Sequence, residues 1–177
     1  MTEDASDRVA RIQAEWRRER PDLDVAPQAV IGRLHRLAAH LTGELASVYR
    51  AHDLGEGEFD VLAALRRAGS PYERAPRELA DHTMVTTGAM TKRLDRLAAA
   101  GLIVRRHVAG DGRRRVVALT PRGLDVIDAA FADHMDNERR LVDQLSDDDR
   151  DRLEAILTRW LRAYESPLPS YCLLYTS

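Results

Sequence analysis

The chain has 177 residues, of which 44% are hydrophobic, 32% charged and 5% aromatic, and its formal net charge is −2. This length suits one domain with a substantial core and is short for two. The composition is typical of a soluble, helix-rich protein, with neither a run of about 18 apolar residues nor an N-terminal secretory signal. The single cysteine, Cys172, excludes an intrachain disulfide, so we expect a cytoplasmic protein.

Two helices are predicted in the first third of the chain. Val9, Ile12 and Trp16 have helical spacing within Asp7–Arg20, which ends before a proline. A second helix is predicted over about Pro27–His52, because apolar residues recur there at alternating spacings of three and four. Its apolar series consists of Ile31, Leu34, Ala38, Leu41, Leu45 and Val48.

Two shorter helices are predicted next. The sequence Gly55-Glu56-Gly57 breaks the helical pattern, and a helix that carries Phe59 is predicted to end at Gly69. Pro76 suits the first position of the following helix, because its missing N–H would have no partner there. Ala75 has no side-chain acceptor to cap that helix, so we expect a weak helix start.

The sequence after these two helices predicts the second helix of a helix-turn-helix, followed by a β-hairpin. Thr86 is the expected N-cap of the helix, and Gly101 is its expected left-handed stop. Ile103–Val108 and Arg114–Leu119 are β-rich and flank a glycine-containing turn. We therefore expect the tip of the hairpin at Asp111–Arg115.

Basic residues are concentrated in this part of the chain. Between Thr86 and Arg115 eight basic residues accompany two acidic ones, which gives this segment a formal charge of +6 and leaves −8 for the rest. The basic residues are Lys92, Arg93, Arg96, Arg105, Arg106, Arg113, Arg114 and Arg115. A charge excess on one small element is typical of a surface that binds nucleic acid phosphates.

Two long helices are predicted at the C-terminal end. Thr120-Pro121 has the sequence of an N-cap followed by a proline, and Ser146 followed by three aspartates is a second helix start. The last segment, SPLPSYCLLYTS, follows no helical pattern. We expect it to be an unstructured tail, and its composition is typical of an artificially appended sequence.

The second helix of the helix-turn-helix is the candidate reader of the DNA major groove. Small polar and basic side chains near its N-terminus can reach base edges and phosphates, and these are Thr86, Thr87, Thr91 and Lys92. Gly88 lowers helix stability by about 1 kcal/mol relative to alanine. We therefore expect a close approach at this glycine, either to the DNA backbone or to the preceding helix.

The hairpin is the candidate wing. Arg113, beside a glycine turn, suits insertion into a narrow and negative minor groove, whereas Arg114 and Arg115 are expected to contact phosphate or solvent. An arginine cluster by itself is typical of an ordinary solvated face. Its position directly after a helix-turn-helix favours double-stranded DNA as the partner.

The block from Gly55 to Gly123 resembles the MarR family of winged helix-turn-helix repressors. The resemblance rests on EFDVLAALRRAG, PRELAD, TGAMTKRLDRLAAAGLIVRR and DGRRRVVALTPRG. Gly112 replaces an arginine that is common in the wing of this family, while Asp111 and Arg113 keep their places. The resemblance implies a mainly α, winged helix-turn-helix fold and a homodimer on a pseudo-palindromic operator.

The resemblance also implies how the chain is divided. Residues 1–24 form an extra N-terminal helix, and residues 55–120 form the DNA-binding lobe. Residues 25–54 and 121–165 form a helical dimerisation region, since their apolar stripes are longer than a small monomer can bury. Residues 166–177 form the tail.

A separate first helix that contains a tryptophan resembles the urate-responsive, PecS-like branch of the family and its relatives that respond to aconitate or citrate. In that branch the residues that match Trp16, Asp60 and Arg93 line a ligand pocket. The resemblance therefore implies a small organic anion, either urate-like or a polycarboxylate, as the effector. Such an anion would pair with Arg93, would be repelled by Asp60, and would shift the recognition helix.

Other interpretations of these residues stay open. Trp16 suits a core position, Asp60 and Arg93 suit a structural ion pair, and Arg93 also suits a phosphate contact. The protein would then be a ligand-independent repressor, or its winged helix would dock on an acidic protein. The histidines lack metal-ligand spacing and no catalytic or cofactor motif occurs, so we expect no enzyme activity and no metal or cofactor.

Overall fold

The computed structural model of the chain is mainly α with one small antiparallel sheet, which confirms the predicted fold class. It describes residues 7–83, 87–108 and 111–165. For a few of these it describes the backbone alone: His82, Thr87, Val108 and Asp111–Arg114. The expected cap at Thr86 and the expected tail at 166–177 lie outside the described residues.

The helices agree closely with those predicted from the sequence. In chain order, the elements are α1 (Arg8–Glu19), α2 (Gln28–Ala51), α3 (Glu56–Arg67), β1 (Glu73–Arg74), α4 (Pro76–His82), α5 (Thr87–Ala99), β2 (Ile103–Val108), β3 (Asp111–Leu119), α6 (Pro121–Val142) and α7 (Asp147–Glu165). None of these helices is both long enough and apolar enough to cross a membrane.

The contacts divide the chain into two compact units, Met1–Asn137 and Glu138–Ser177. The hydrophobic core belongs to the first unit and is formed by the C-terminal end of α2, by α3, α4, α5 and α6, and by the sheet. Its most deeply buried side chains are Val61, Leu62, Leu65, Leu79, Met90, Leu97, Ile103, Val117 and Ile127. In the second unit, no residue of α7 is buried.

Two side-chain contacts attach α1, one to α2 and one to the segment between the two helices. Asp7 caps α1 by accepting the Ala10 N–H at 2.9 Å, and it also accepts the Arg33 Nε–H at 2.7 Å. These two hydrogen bonds, the backbone one first, lower the pKa of Asp7. The buried amide of Gln13 donates to the Val25 carbonyl at 2.8 Å. The extra N-terminal helix is therefore held by polar contacts as well as by apolar packing.

The starts of α3 and α4 differ in detail from expectation. The sequence predicted that Gly55-Glu56-Gly57 interrupts helical structure, but α3 begins at Glu56 and only Gly55 lies outside it as the N-cap. Glu58 makes this start possible, because its carboxylate accepts the Gly55 N–H at 2.7 Å. Glu78 does the same for α4, since its carboxylate accepts the Ala75 N–H at 3.2 Å.

The end of α5 confirms the predicted stop. Gly101 has φ +70°, a left-handed conformation that glycine adopts without steric cost. The Leu102 N–H donates to the Leu97 carbonyl at 3.0 Å and the Gly101 N–H donates to the Ala98 carbonyl at 3.0 Å. This pair of hydrogen bonds is a Schellman motif, and it turns the chain from α5 into β2.

The sheet contains a strand that the sequence did not predict. Its order is β1-β3-β2, and β1 has only two residues, Glu73 opposite Ala118 and Arg74 opposite Val117. Two residues are too few to show a period-two pattern, so no sequence signal was present.

The hairpin is longer than predicted. β3 begins at Asp111 and not at Arg114. The predicted tip at Asp111–Arg115 is therefore wrong, because the backbone of these residues is extended. The reason is the pairing of the strands: His107 pairs with Arg115, but the next pair joins Val108 to Asp111. The register therefore skips three residues of β3, a bulge-like irregularity that lets the strand start earlier.

The start of α6 packs very closely on the loop after α5. Thr120 caps α6 by accepting the Gly123 N–H at 2.9 Å, and its own N–H donates to the Leu102 carbonyl at 3.0 Å. A Cβ atom at Gly123 would lie 1.9 Å from that carbonyl oxygen. Only a glycine fits at this position without a shift of the backbone.

Gly123→Ala is therefore expected to destabilise the fold by about 1–3 kcal/mol, because the added methyl group overlaps a backbone oxygen. Urea unfolding at equilibrium measures the change. Gly88→Ala is the matched control: no described atom lies within 4 Å of a Cβ atom at Gly88, so we expect no loss of stability. Equal stability of Gly123→Ala and the wild type would contradict the close approach.

Candidate nucleic-acid interface

The second helix of the helix-turn-helix, α5, presents one apolar and one polar face. Met90, Leu94 and Leu97 are buried, as their spacing predicted. Thr91 and Lys92 are exposed on the other side. The helix is therefore anchored in the core along one face, and the opposite face carries short polar and basic side chains of the kind that enter a major groove.

The N-terminal end of α5 is described in part. Thr86 lies outside the described residues, and Thr87 is the first residue of the helix, with its backbone alone described. Gly88 is exposed, and a Cβ atom there would meet no described atom within 4 Å. Close packing on described atoms of α4 therefore does not explain this glycine.

Among the described side chains of the basic segment, three arginines are paired with carboxylates. Arg96 lies 3.6 Å from Glu58 of α3. On β2, Arg105 lies 2.7 Å from Asp95 of α5, and Arg106 is paired with Glu73 of β1. Exposed pairs of this kind contribute little stability individually. They do lower the positive charge available to a ligand, so the formal +6 overstates the charge of this surface.

Two of these acidic partners could not be recognised from the sequence. Glu58 and Glu73 precede the basic segment by many residues along the chain, and they lie on two different elements, α3 and β1. Arg105, by contrast, pairs within the segment and also donates to the Thr91 carbonyl at 3.4 Å. This second contact holds the wing against the middle of α5.

The predicted wing arginines lie on β3. Arg113 and Arg114 are in the extended part of β3 that the register skips, and their side chains are outside the described set. Arg115 is exposed and pairs across the hairpin with His107. The backbone therefore carries the arginine run along one strand of the hairpin.

Arg93 differs from its neighbour Lys92, because it points towards the protein. Its side chain is half-buried, and its guanidinium packs on Gly57 of α3, where a Cβ atom would lie 2.2 Å from the Arg93 Cζ atom. Its Nη1 atom is buried and has no hydrogen-bond partner. A buried guanidinium donor without a partner is costly, and it is satisfied by an anion or by a water molecule.

Asp60 lies on α3 close enough to Arg93 for their charges to interact. The pKa of Asp60 is raised, mainly by its half-buried position and also by the negative charge of Glu56. The electrostatic influence of Arg93, and to a smaller extent of Arg67 and His134, partly opposes this rise. Asp60 does not satisfy the Arg93 Nη1 donor, so the pair acts through space and not as a hydrogen-bonded ion pair.

Trp16 lies in a different part of the first unit. It is 47% exposed, so it is not a core side chain in the single chain. It borders a crevice of about 310 Å³, whose other lining residues are Leu23, Asp24, Val25, Pro27 and Gln28. Neither Asp60 nor Arg93 lines this crevice. The structure thus brings together two of the three residues predicted to bind the effector.

The chain was compared with known proteins. The sequence pattern that defines the MarR family matches residues 52–114. The HTH-type transcriptional regulator PecS of Dickeya dadantii (strain 3937) is 38% identical over 151 residues, which are 85% of this chain and 91% of PecS.

Solved structures show the same fold. Sco5413, a MarR family transcriptional regulator from Streptomyces coelicolor, has a TM-score of 0.67 at 24% identity, and the match covers 80% of this chain and 96% of Sco5413. MepR of S. aureus, in a complex with DNA, has a TM-score of 0.65 at 24% identity over 75% of this chain and 96% of MepR. With the identity to PecS over nearly the whole chain, these findings show that the protein belongs to the MarR family of DNA-binding transcription regulators.

Proposed function

We propose that this regulator is a homodimeric repressor that binds a pseudo-palindromic operator and is released from it by a small organic anion. The observation that carries the proposal is the position of Arg93. It belongs to the helix that presents Lys92 to solvent, yet its guanidinium is turned towards α3 with a buried, unsatisfied N–H. One short helix thus carries both a DNA-facing surface and a receptor for negative charge.

The proposed DNA contacts follow from the two faces of α5. We infer that Thr86, Thr87, Thr91 and Lys92 contact the major groove, that Arg113 enters the minor groove, and that Arg114 contacts phosphate. The exposure of Thr91 and Lys92 supports their assignment, and the position of the other residues in the winged helix-turn-helix fold supports theirs. MepR, a protein of the same fold, is known in a complex with DNA.

Helices outside the DNA-binding lobe supply the proposed dimer contacts. We assign residues 25–54 and 121–165 to dimerisation and residues 55–120 to DNA binding, with the helix in 1–24 packed beside α2. The reason is exposed apolar surface, which a second copy of the chain would cover. On α2 it comprises Val30, Ile31 and Leu37, and on α7 it comprises Leu153, Ile156, Leu157, Leu161 and Tyr164.

The proposed effector is anionic because the site offers an unsatisfied cationic donor. A carboxylate or a urate-like anion would accept the Arg93 Nη1–H and would raise the cost of a charged Asp60 beside it. Trp16 belongs to this proposal through the similarity to PecS and its exposed indole.

Release of DNA follows from differential affinity. An anion that binds Arg93 more tightly when α5 has moved shifts the population towards that arrangement. Lys92 immediately precedes Arg93 in the same helix, so a shift of Arg93 would also move Lys92. The two recognition helices of the dimer would then no longer match half-sites about one helical turn apart.

Substitutions of three basic residues of α5 distinguish DNA binding from the release of DNA by the anion. Lys92→Ala is expected to weaken binding about 3- to 10-fold, because a phosphate or base contact is lost. Arg93→Ala is expected to retain binding but to lose release by urate or citrate. Fluorescence polarisation with a labelled duplex from the gene's own upstream region measures both properties.

Arg96→Ala is the control for these two variants. Arg96 is exposed on the same helix and is already paired with Glu58, so its loss should leave binding and release near the wild-type values. Release of Arg93→Ala by the same anion concentration as the wild type would disprove the effector assignment. Loss of DNA binding in Arg93→Ala would instead identify Arg93 as a phosphate contact.

Asp60→Asn tests the raised pKa of Asp60. In an acid whose pKa is raised by folding, the charged form is less favourable in the folded chain than in the unfolded one. The penalty is absent below the ordinary pKa of about 4 and grows as the pH rises through the raised pKa. We therefore expect Asp60→Asn to have a higher Tm than the wild type at pH 7 and an equal Tm at pH 3.5 or so. A lower Tm at pH 7 would mean that the charged carboxylate stabilises the fold.

Ile156→Glu tests the dimer surface of α7. A carboxylate placed in an apolar interface is desolvated without a partner, so the dimer dissociation constant should rise at least about 100-fold. Thr158→Glu is the control, because Thr158 lies on the polar face of the same helix with Asp151 and Arg162. Sedimentation velocity measures both variants, and an unchanged dimer in Ile156→Glu would exclude this face from the interface.

A further inference from the structure

The apolar packing that holds the wing ends near the base of the hairpin. On β2, Ile103 is buried, whereas the four side chains of residues 104–107 are exposed. On β3, Arg115 is exposed and the buried side chains begin at Val116. Burial of the described side chains therefore fixes only the base of the hairpin. Polar contacts are needed to fix the part beyond it relative to α5.

Arg105 makes such a contact just beyond Ile103. Its Nη2 group donates to the Asp95 carboxylate at 2.7 Å and to the Thr91 carbonyl at 3.4 Å. Thr91 and Asp95 are four residues apart in α5, so they lie one turn apart on the same side of this helix. One guanidinium therefore spans a turn of the recognition helix and links β2 to it.

The neighbouring ion pair, Arg106 with Glu73, makes a different connection. Glu73 belongs to β1, at the other edge of the same sheet. This pair therefore links two strands of one sheet, whereas the pair of Arg105 with Asp95 links the sheet to α5. The two arginine side chains are 53% and 41% exposed, respectively, so the direct contribution of each pair to stability is expected to be small.

In the function proposed above, α5 and the wing bind DNA at the same time. Thr91 and Lys92 contact the major groove while Arg113 enters the minor groove. A fixed distance between the two elements lets one duplex fit both of them, whereas an element that must be ordered on binding lowers the affinity. Arg105 contacts α5 at the turn that carries Thr91 and Lys92, so it acts on this distance next to the proposed DNA contacts.

We propose that Arg105 is a positioning residue for DNA recognition, which holds the wing and α5 at the spacing of a major groove and the adjacent minor groove. It acts through Asp95 and the Thr91 carbonyl and not through a DNA contact of its own. The proposal rests on the DNA binding proposed above and adds a determinant of sequence preference. It also gives a reason for an exposed acidic residue, Asp95, on a helix that faces phosphates.

Double variants test the proposal without a change of net charge. Arg105→Ala/Asp95→Ala removes the link, and Arg105→Asp/Asp95→Arg restores an ion pair with the charges exchanged. Fluorescence polarisation measures their affinities for the duplex that the wild-type protein selects most strongly from a random pool, and for an unselected duplex of the same length.

The alanine variant should lose about 5- to 20-fold in affinity for the selected duplex, over the two lobes of a dimer, but less than about threefold for the unselected one. Its preference for the selected duplex therefore falls, and the exchanged variant should regain most of that preference. Arg106→Ala/Glu73→Ala is the matched control, because it removes an ion pair within the sheet. Its preference should stay within about twofold of the wild-type value.

The outcomes separate this proposal from the proposed function. If the wild type selects no sequence from the pool, the proposed function fails and this inference fails with it. If the wild type selects a sequence and the alanine variant keeps the same preference, only the positioning role of Arg105 is wrong. An exchanged variant that stays as unselective as the alanine variant would also overturn that role. An equal loss of preference in Arg106→Ala/Glu73→Ala would show that the contact to α5 is not the cause.

Discussion

The DNA-binding lobe depends on the packing of α5 against α3. Leu94 and Leu97 anchor α5 in a core that α3 builds from an almost continuous apolar run. The absence of a side chain at Gly57 lets the Arg93 guanidinium lie directly on the α3 backbone. The packing of α5 on α3 thus fixes the position of α5 by apolar burial. It also places the unsatisfied Arg93 Nη1 donor against α3. In the release mechanism proposed above, a ligand that moves Arg93 would therefore also reorient α5.

Charge on this surface is arranged by elements that are distant in sequence. Glu58 and Glu73 neutralise arginines that a count along the chain assigns to DNA binding. Among the described side chains of this segment, Lys92 and Arg115 are exposed to solvent. Local pairing of this type limits unspecific attraction and gives the electrostatic field a direction. The net charge of a segment is therefore a weaker guide to its binding face than the partners of each cation.

Local features were predictable from the sequence, and features that depend on folding were not. The cap at Thr120 and the stop at Gly101 were confirmed because each is decided by neighbouring residues. The early start of β3 was missed, since it depends on pairing across the hairpin. The inward direction of Arg93 was visible only through the family resemblance, because the spacing of charges does not tell which face a long side chain occupies. β1 was missed because a two-residue strand has no period.

The close approach of Gly123 to the Leu102 carbonyl has a mechanical consequence. It joins the C-terminal end of α5 to the start of α6 without room for sliding. A displacement of α5 is then a rotation about its C-terminal end. The helix has 13 residues, about 20 Å at 1.5 Å per residue, so a tilt of about 10° moves its N-terminus by about 3 Å. In the release mechanism proposed above, a small displacement of Arg93 would therefore be larger at the N-terminus of α5, and the fixed point would be the contact of Gly123 in α6 with the loop after α5.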